Sequence, residues 1–341
     1  MDHANVVKSL HKSLRQKVRE GMTTEDVWKD LLYNKPVLKT YAYSMNQLAK
    51  HDWEKTCTEN RILWCRDVCK SYFFDGGMEK MIKKEKKSKM FQRLRDEGAP
   101  ETPEVVEAIS ETVRMLDINI PLFNNKLLLL DVGSCFNPFK EFEEFHVFAV
   151  DISPAVDDVI QCDFLNISLD PASDISRYLE KSQKNFGLAK DITTALKANK
   201  LIPNIFNVVV FSLLLSYFPS SSQRLQCCIN AHTALQINGL LLIVTPDSSH
   251  QNRHAEMMKS WKKALESLGF KRYKYEKLQH LHCMAFRKSH KQIPTVTTNL
   301  SELIYIPQDF QDNDQETIDN ISCSNEESFD VNLFPDTDLC E

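Results

Sequence analysis

No apolar run in this 341-residue chain approaches the roughly 20 residues that a membrane-spanning helix needs. The opening residues, MDHANVVKSLHKSLRQKVRE, lack the apolar core of a secretory signal. Both absences are read as a soluble, intracellular chain with no membrane insertion. A disulfide or zinc framework is missing too. The ten cysteines are scattered, and Cys65 and Cys69, one helical turn apart, lack the second Cys or His pair of a structural zinc site. Reduced, mostly buried thiols are the expectation. From residue 308 onward there is no lysine or arginine against eleven acids, which leaves 42 bases and 36 acids, a net +6, in residues 1–307. A tail so acidic and so poor in bulky apolar groups cannot offset its ordering entropy, and disorder is expected there. No internal repeat is found.

What is present divides into two rhythms. Up to about residue 95 the apolar spacing is helical: Val6, Leu10, Leu14 and Val18 recur on one face, and after Gly21 the pattern resumes from Thr24 to Leu32. Trp53, Ile62, Leu63, Trp64, Val68, Tyr72 and Phe73 make a dense aromatic helix ending at Gly76-Gly77. A lysine-rich run over 80–95 follows, whose plain reading is a solvated helix face and whose other reading is contact with RNA or an acidic partner. EGAPETP is a linker into a helix over 104–116. Beyond it strands and helices alternate, as in a parallel sheet. Strands are expected at 126–132, 147–151, 207–213, 240–245, 271–277 and 282–287, with a short one near 159–162, and the clearest helices at 223–236 and 252–268. LLLLDV, VVVFSLLL and LLLIVT are unbroken apolar runs, which implies burial on both faces. The last two strands suggest an antiparallel hairpin. The expected organisation is a helical domain (1–97), a linker with a packing helix (98–125), a Rossmann-like domain (126–290) and a C-terminal extension ending in the acidic tail (291–341).

The first strand runs into Asp131-Val132-Gly133-Ser134-Cys135, the strand-to-helix turn where doubly wound sheets hold ligands. Glycine there allows close backbone approach, and Asn137-Pro138 is a candidate start for the following helix. The second strand ends in Asp151, followed by Ile152, where a carboxylate can accept from both hydroxyls of a ribose. Twelve residues on, Asp163 offers a carboxylate for an adenine amino group and Phe164 an aromatic or backbone contact; an isolated Asp163 would read as a helix cap. The G-x-G-x-x-G of dinucleotide dehydrogenases is absent, and Cys135 stands where a second glycine is common, so there is room for one nucleoside but no pyrophosphate cradle. Asn238-Gly239 reads as a helix stop running directly into a strand. An α/β Rossmann sheet with a terminal reversed hairpin is similar to class I methyltransferases, whose ligand is S-adenosylmethionine; S-adenosylhomocysteine shares the same recognition groups. The ligand's carboxylate, costly to bury unpaired, needs a cation. Arg61 and Arg66 are the candidates if the helical domain closes over the cleft, and Arg61 is preferred.

Catalysis is less legible. After Ser212 the chain continues LLLSYFPS, without the Asp/Asn-Pro-Pro-aromatic turn of adenine amino methyltransferases. Ser212 suits the methionine end of the ligand but is no general base by itself; Asp247, His250 and His254 are the other groups at hand. His250 and His254 have i, i+4 spacing, yet Gln251 replaces the glutamate of H-E-x-x-H, and no metal ligands are assigned. Methyl transfer needs little beyond positioning, so activity stays open and no catalytic residue is assigned.

The segments DVGSCFNPF, FEEF, CDFLN, VVVFSLLLSYFPS, NGLLLIVTPDSSHQNRHAEMMKSWKKALESLGF, HCMAFRK, YIPQDF and NRILWC closely resemble the family of S-adenosylmethionine sensors upstream of mTOR complex 1, over roughly residues 5–310. That family is itself similar to fungal methyltransferases acting on adenine N1 of large-subunit rRNA. The resemblance implies a ligand-gated interaction protein. Ligand-free, it associates with GATOR and KICSTOR and restrains mTOR complex 1 signalling; S-adenosylmethionine releases it. It implies a cytoplasmic protein recruited to the lysosomal surface through partners, with no nucleic acid bound. The alternative is an active RNA adenine methyltransferase. Gly133 and Asp151 match positions the family uses for the ligand, with Ser134 and Ile152 beside them; Asp163, Phe164 and Ser212 fall where the fold places further contacts, and Arg61 is carried over from the helical region. The 80–95 run and the 248–253 loop are candidate partner surfaces.

Overall fold

Apolar strands need cover on both faces, and the helices divide to supply it. The computed structural model describes residues 2–49, 58–116, 118, 120, 122–169, 187–247, 254–290, 292–293 and 299–310. Trp53, the 248–253 loop and the tail from 311 onward lie outside them. The helices are α1 (His3–Arg19), α2 (Thr24–Tyr33), α3 (Lys35–Leu48), α4 (Thr58–Phe73), α5 (Gly77–Asp96), α6 (Pro103–Arg114), α7 (Leu188–Lys197), α8 (Ser221–Ala234) and α9 (Ala255–Ser267). The strands are β1 (Leu127–Val132), β2 (Phe145–Asp151), β3 (Ile160–Gln161), β4 (Ser168–Leu169), β5 (Lys200–Leu201), β6 (Phe206–Ser212), β7 (Leu235–Pro246), β8 (Phe270–Leu278) and β9 (Leu281–Lys288). Seven of them form one sheet in the order β3-β2-β1-β6-β7-β9-β8, while β4 and β5 pair separately. Pairing is parallel from β3 across to β7, and β9 runs antiparallel to both β7 and β8. This is the class I methyltransferase-type α/β sheet with its closing reversed hairpin. The chain order reverses between β1 and β6, which opens a crevice at their carboxyl ends.

Strand alternation sorts the core into two layers. Leu128, Leu130, Val132, Val209, Phe211, Leu241 and Ile243 face one side, where they share a buried cluster with Leu14, Val27, Trp28, Leu31 and Leu38 of α1–α3 and with Ile192, Cys228 and Trp261 of α7–α9. Leu127, Leu129, Val208, Val210, Leu240 and Leu242 face the other, against Ile62, Cys65, Cys69 and Tyr72 of α4 and Met78 and Ile82 of α5. The N-terminal helices therefore use both faces of the sheet as their core. Of the α1 face read as Val6, Leu10, Leu14 and Val18, Leu14 is buried and Leu10 and Val18 pack half-buried against the same core, while Val7 and His11 take the other buried positions. On α5 only Met78 and Ile82 are buried; the helix is tied to the hairpin by Glu85, which accepts from Arg287 and lies 3.0 Å from Lys271. Most of its lysines face solvent. No helix among the described residues is long and apolar enough to cross a membrane.

Two local expectations are corrected. No helix follows β1: residues 134–144 form turns, because Gly133, Cys135 and Asn137 all take positive φ (73°, 54° and 55°), and the residue before Pro138 is disfavoured in the helical region anyway. Asn238-Gly239 is not a helix stop either, since α8 ends at Ala234 and β7 is already under way. The pair instead makes an irregularity inside β7, with Asn238 at φ 66°, where a Cβ on Gly239 would meet Asn207 O at 2.9 Å.

The C-terminal extension is anchored by an arginine. Arg224 on α8 is fully buried and donates from Nε to Ile304 O (2.7 Å) and from Nη1 to Phe218 O (2.8 Å), while Nη2 pairs with Asp309. Trp261 Nε1 donates to Tyr305 O at 2.7 Å. A buried guanidinium that loses its carboxylate keeps its desolvation cost, so Asp309→Ala is expected to lower the unfolding free energy by about 3–5 kcal/mol in urea titration. A loss below about 1 kcal/mol would mean that this ion pair does not hold the extension.

Candidate functional site

At the carboxyl ends of β1, β2 and β6 lies a cavity of about 110 Å³, and all eight residues singled out above line it: Arg61, Gly133, Ser134, Asp151, Ile152, Asp163, Phe164 and Ser212. Its floor is the sheet edge and its roof is α1–α3, through His11, Trp28, Leu38, Tyr41 and Met45.

The floor is shaped by backbone the sequence chose for turning. Gly133 at φ 73° donates its N–H to Val150 O (2.8 Å), and a Cβ placed on it would lie 2.7 Å from Leu214 Cδ1. Ser134 holds the turn together: its hydroxyl donates to Asp131 Oδ2 at 2.6 Å and accepts from Asn137 N at 3.1 Å. Asp151 accepts from Ser153 N (2.8 Å) through Oδ1 and from Cys135 N (3.3 Å) through Oδ2. Burial pushes its carboxyl up to about 6 even so. Asp131 is pushed to about 7, first by burial, against the lowering effects of the Ser134 hydroxyl and the Arg61 charge. Leu213, just past β6, stands at φ 64°, a strained backbone at the rim.

Arg61 comes from α4, on the opposite face of the sheet from α1–α3. It is buried, and its Nε donates to Ser212 Oγ at 2.9 Å; burial lowers its proton affinity while Tyr217, Cys65 and Asp131 raise it. Arg66 goes elsewhere, donating to Glu144 Oε1 at 2.7 and 3.0 Å and lying over the Phe142 ring. Asp163 and Phe164 are engaged more heavily than their spacing suggested. Asp163 Oδ2 accepts from Trp28 Nε1 (3.1 Å) and from Asn166 Nδ2 (2.8 Å), and the Phe164 ring packs edge-on to Phe211.

Three contacts close the roof on the floor: Trp28 to Asp163, Ser153 Oγ to Leu38 O (3.1 Å), and His11 stacked on Tyr217 with ring centres 4.4 Å apart. Burial lowers the His11 pKa to about 3, so the ring is neutral, and Nε2 meets Tyr41 OH at 3.1 Å. His11, Trp28, Tyr41 and Tyr217 were missed by sequence reasoning. Helical periodicity names the buried face of α1–α3 but not what it covers. Asp131 was missed as well, although an acid ending the apolar run LLLLD was a usable signal.

The two raised carboxyls give a pH dependence of defined sign. Each binds its proton more tightly in the folded chain, so its stabilisation is complete below the ordinary value of 3.8 and is lost as pH rises through about 6 for Asp151 and about 7 for Asp131. Urea titrations of ligand-free protein should show a stability contribution that declines over this window and becomes shallower in Asp131→Asn. An identical slope in that variant would contradict the assignment.

No family model matches the chain. Curated relatives do. The "S-adenosylmethionine sensor upstream of mTORC1" of Xenopus tropicalis is 42% identical over 351 residues, covering 98% of this chain and 83% of that protein. The protein of the same name from Danio rerio is 44% identical over 326 residues, with 92% and 77% covered. Among solved structures, the 1,6-didemethyltoxoflavin-N1-methyltransferase of Burkholderia thailandensis is 15% identical over 49% of this chain and 73% of that one, with a TM-score of 0.34. The N-methyltransferase NodS of Bradyrhizobium japonicum is 13% identical over 58% and 91%, at 0.31. At such scores the strand order itself carries the fold assignment. Identity of 42–44% across nearly the whole length shows that the chain belongs to the family of S-adenosylmethionine sensors upstream of mTORC1.

Proposed function

We propose that this chain binds S-adenosylmethionine in the cavity under α1–α3 and works as a sensor of that ligand upstream of mTORC1. The observation that carries the reading is the convergence, in one cavity roofed by the N-terminal helices, of a buried arginine with the carboxylates of Asp131, Asp151 and Asp163. Asp151 accepts from the ribose hydroxyls. Asp163 has acceptor capacity for the adenine amino group besides its bond to Trp28, since an ionised carboxylate offers about four lone-pair sites. Arg61 receives the ligand's carboxylate and Asp131 its ammonium. S-adenosylhomocysteine keeps all of these groups and competes for the same cavity.

A ligand seated between sheet edge and roof favours the closed arrangement, by no more than its differential affinity for closed over open. GATOR and KICSTOR bind the ligand-free form in this reading, and by linkage their binding weakens ligand affinity by the same factor. Restraint of mTOR complex 1 then falls as the ligand accumulates. Recruitment to the lysosomal surface comes through those partners, and the exposed lysines of α5 are the surface we assign to them.

Calorimetry on the full chain tests the binding. Asp151→Ala is expected to weaken affinity at least about 100-fold, roughly 3 kcal/mol of charge-assisted hydrogen bonding. Affinity of the unmodified protein should rise with pH through about 6, as Asp151 ionises. Unchanged affinity in Asp151→Ala would remove the site. Incubation with methyl-tritiated ligand and total RNA should leave the RNA unlabelled; strong labelling would favour the methyltransferase reading. Co-precipitation of GATOR that ignores added ligand would remove the switch.

A further inference from the structure

A second group of polar side chains converges outside the cavity, none of them among its lining residues. Asp247 follows β7, His254 immediately precedes α9 and His282 lies on β9; their potential ligand atoms all fall within 4.8 Å of one another. The three side chains are buried, with exposures of 2%, 7% and 4%. Asp247 Oδ1 lies 2.7 Å from His282 Nε2 and 3.6 Å from His254 Nδ1. We propose that Asp247, His254 and His282 form a binding site for a divalent transition-metal ion of the zinc class.

Several features support it. Two imidazoles and one carboxylate are a donor set that zinc takes in three-ligand sites, where a fourth position is left for water or another ligand. Bonds of about 2.0–2.2 Å at tetrahedral angles place donor atoms about 3.4 Å apart. The separations here bracket that value, and small rotations of the imidazoles about their side-chain bonds bring them to it. The surroundings are those a metal-bound histidine requires: the other nitrogen of His282, Nδ1, lies 2.8 Å from Tyr275 OH, which fixes the ring and turns Nε2 inward. The backbone that carries the carboxylate is fixed, since the Asp247 N–H donates to His280 O at 2.8 Å. Lys277 Nζ sits 2.6 Å from Oδ2, leaving Oδ1 as the oxygen that faces both rings. Lys277 is 44% exposed, so its ammonium can swing into solvent when a dication arrives. Of the i, i+4 pair visible in the sequence, His254 meets His282 from the β8–β9 hairpin, and His250 lies outside the described residues. A metal here ties the end of β7, the start of α9 and the hairpin together, at the same carboxyl edge as the ligand cavity.

Cobalt(II) titration of the full, chelator-treated chain tests the site, because four- or five-coordinate cobalt bound to imidazole absorbs visible light far more strongly than the hexa-aquo ion. One equivalent is expected to bind, to be displaced by zinc, and to bind at least tenfold more weakly in His254→Gln and in His282→Gln. Circular dichroism of both variants should match the parent. Lys277→Met, which removes a like charge, should bind cobalt more tightly. Absence of the band in the parent chain, or its full retention in either histidine variant, overturns the proposal. S-adenosylmethionine binding is measured separately by calorimetry, so failure of the metal site leaves the cavity reading intact and the reverse also holds.

Discussion

Two carboxylates kept from bulk water beneath a cover of helices are the constraint around which this fold is organised. Asp131 and Asp151 stand at the carboxyl ends of neighbouring parallel strands, where burial raises both, to about 7 and about 6. Charged oxygens in such a place are costly unless something offsets them. Here the offsets are backbone N–H groups for Asp151, and the Ser134 hydroxyl together with the Arg61 charge for Asp131. Left open to water the site would need none of this. The roof of α1–α3 is what makes the carboxylates sensitive to what lies beside them.

That roof is attached through few polar contacts and a large apolar one. Trp28 is the clearest hinge between the two: its ring is buried in the core shared with the sheet and lies against Phe218, while its N–H reaches Asp163 on the floor. Phe218 in turn gives its carbonyl to Arg224, whose other partners, Ile304 and Asp309, belong to the C-terminal extension. A path of packed groups thus runs from the cavity to the far side of α8. It is a contiguous physical route between the cavity and the C-terminal extension.

Much of the sheet was legible because LLLLDV, VVVFSLLL and LLLIVT have no polar face to give water, and only a two-sided core accommodates them. Gly133, Asp151 and Ser212 were legible because each directly follows an apolar strand stretch, LLLLDV, VFAV and VVVF respectively. The helical character of residues 3–48 was legible as well, but not its destination: apolar spacing shows that Leu14, Val27 and Leu31 are buried without saying against what. The division of the N-terminal helices between opposite faces of the sheet, and with it the partnership of α1–α3 with Asp163, depends on contacts 135 residues apart in sequence. Separation along the chain likewise hid the meeting of His254, just before α9, with His282 on β9. The turn after β1 misled because Asn137-Pro138 resembles a helix start, whereas three positive-φ residues in five positions exclude one.

Hydrogen exchange on the full chain, with and without S-adenosylmethionine, tests most directly whether the helical roof responds to the cavity beneath it. Slower amide exchange on ligand addition is expected in α1–α3 and in the turn from Gly133 to Pro138, with the outer hairpin strand β8 unchanged. Ligand binding that leaves α1–α3 exchanging at the ligand-free rate would contradict it.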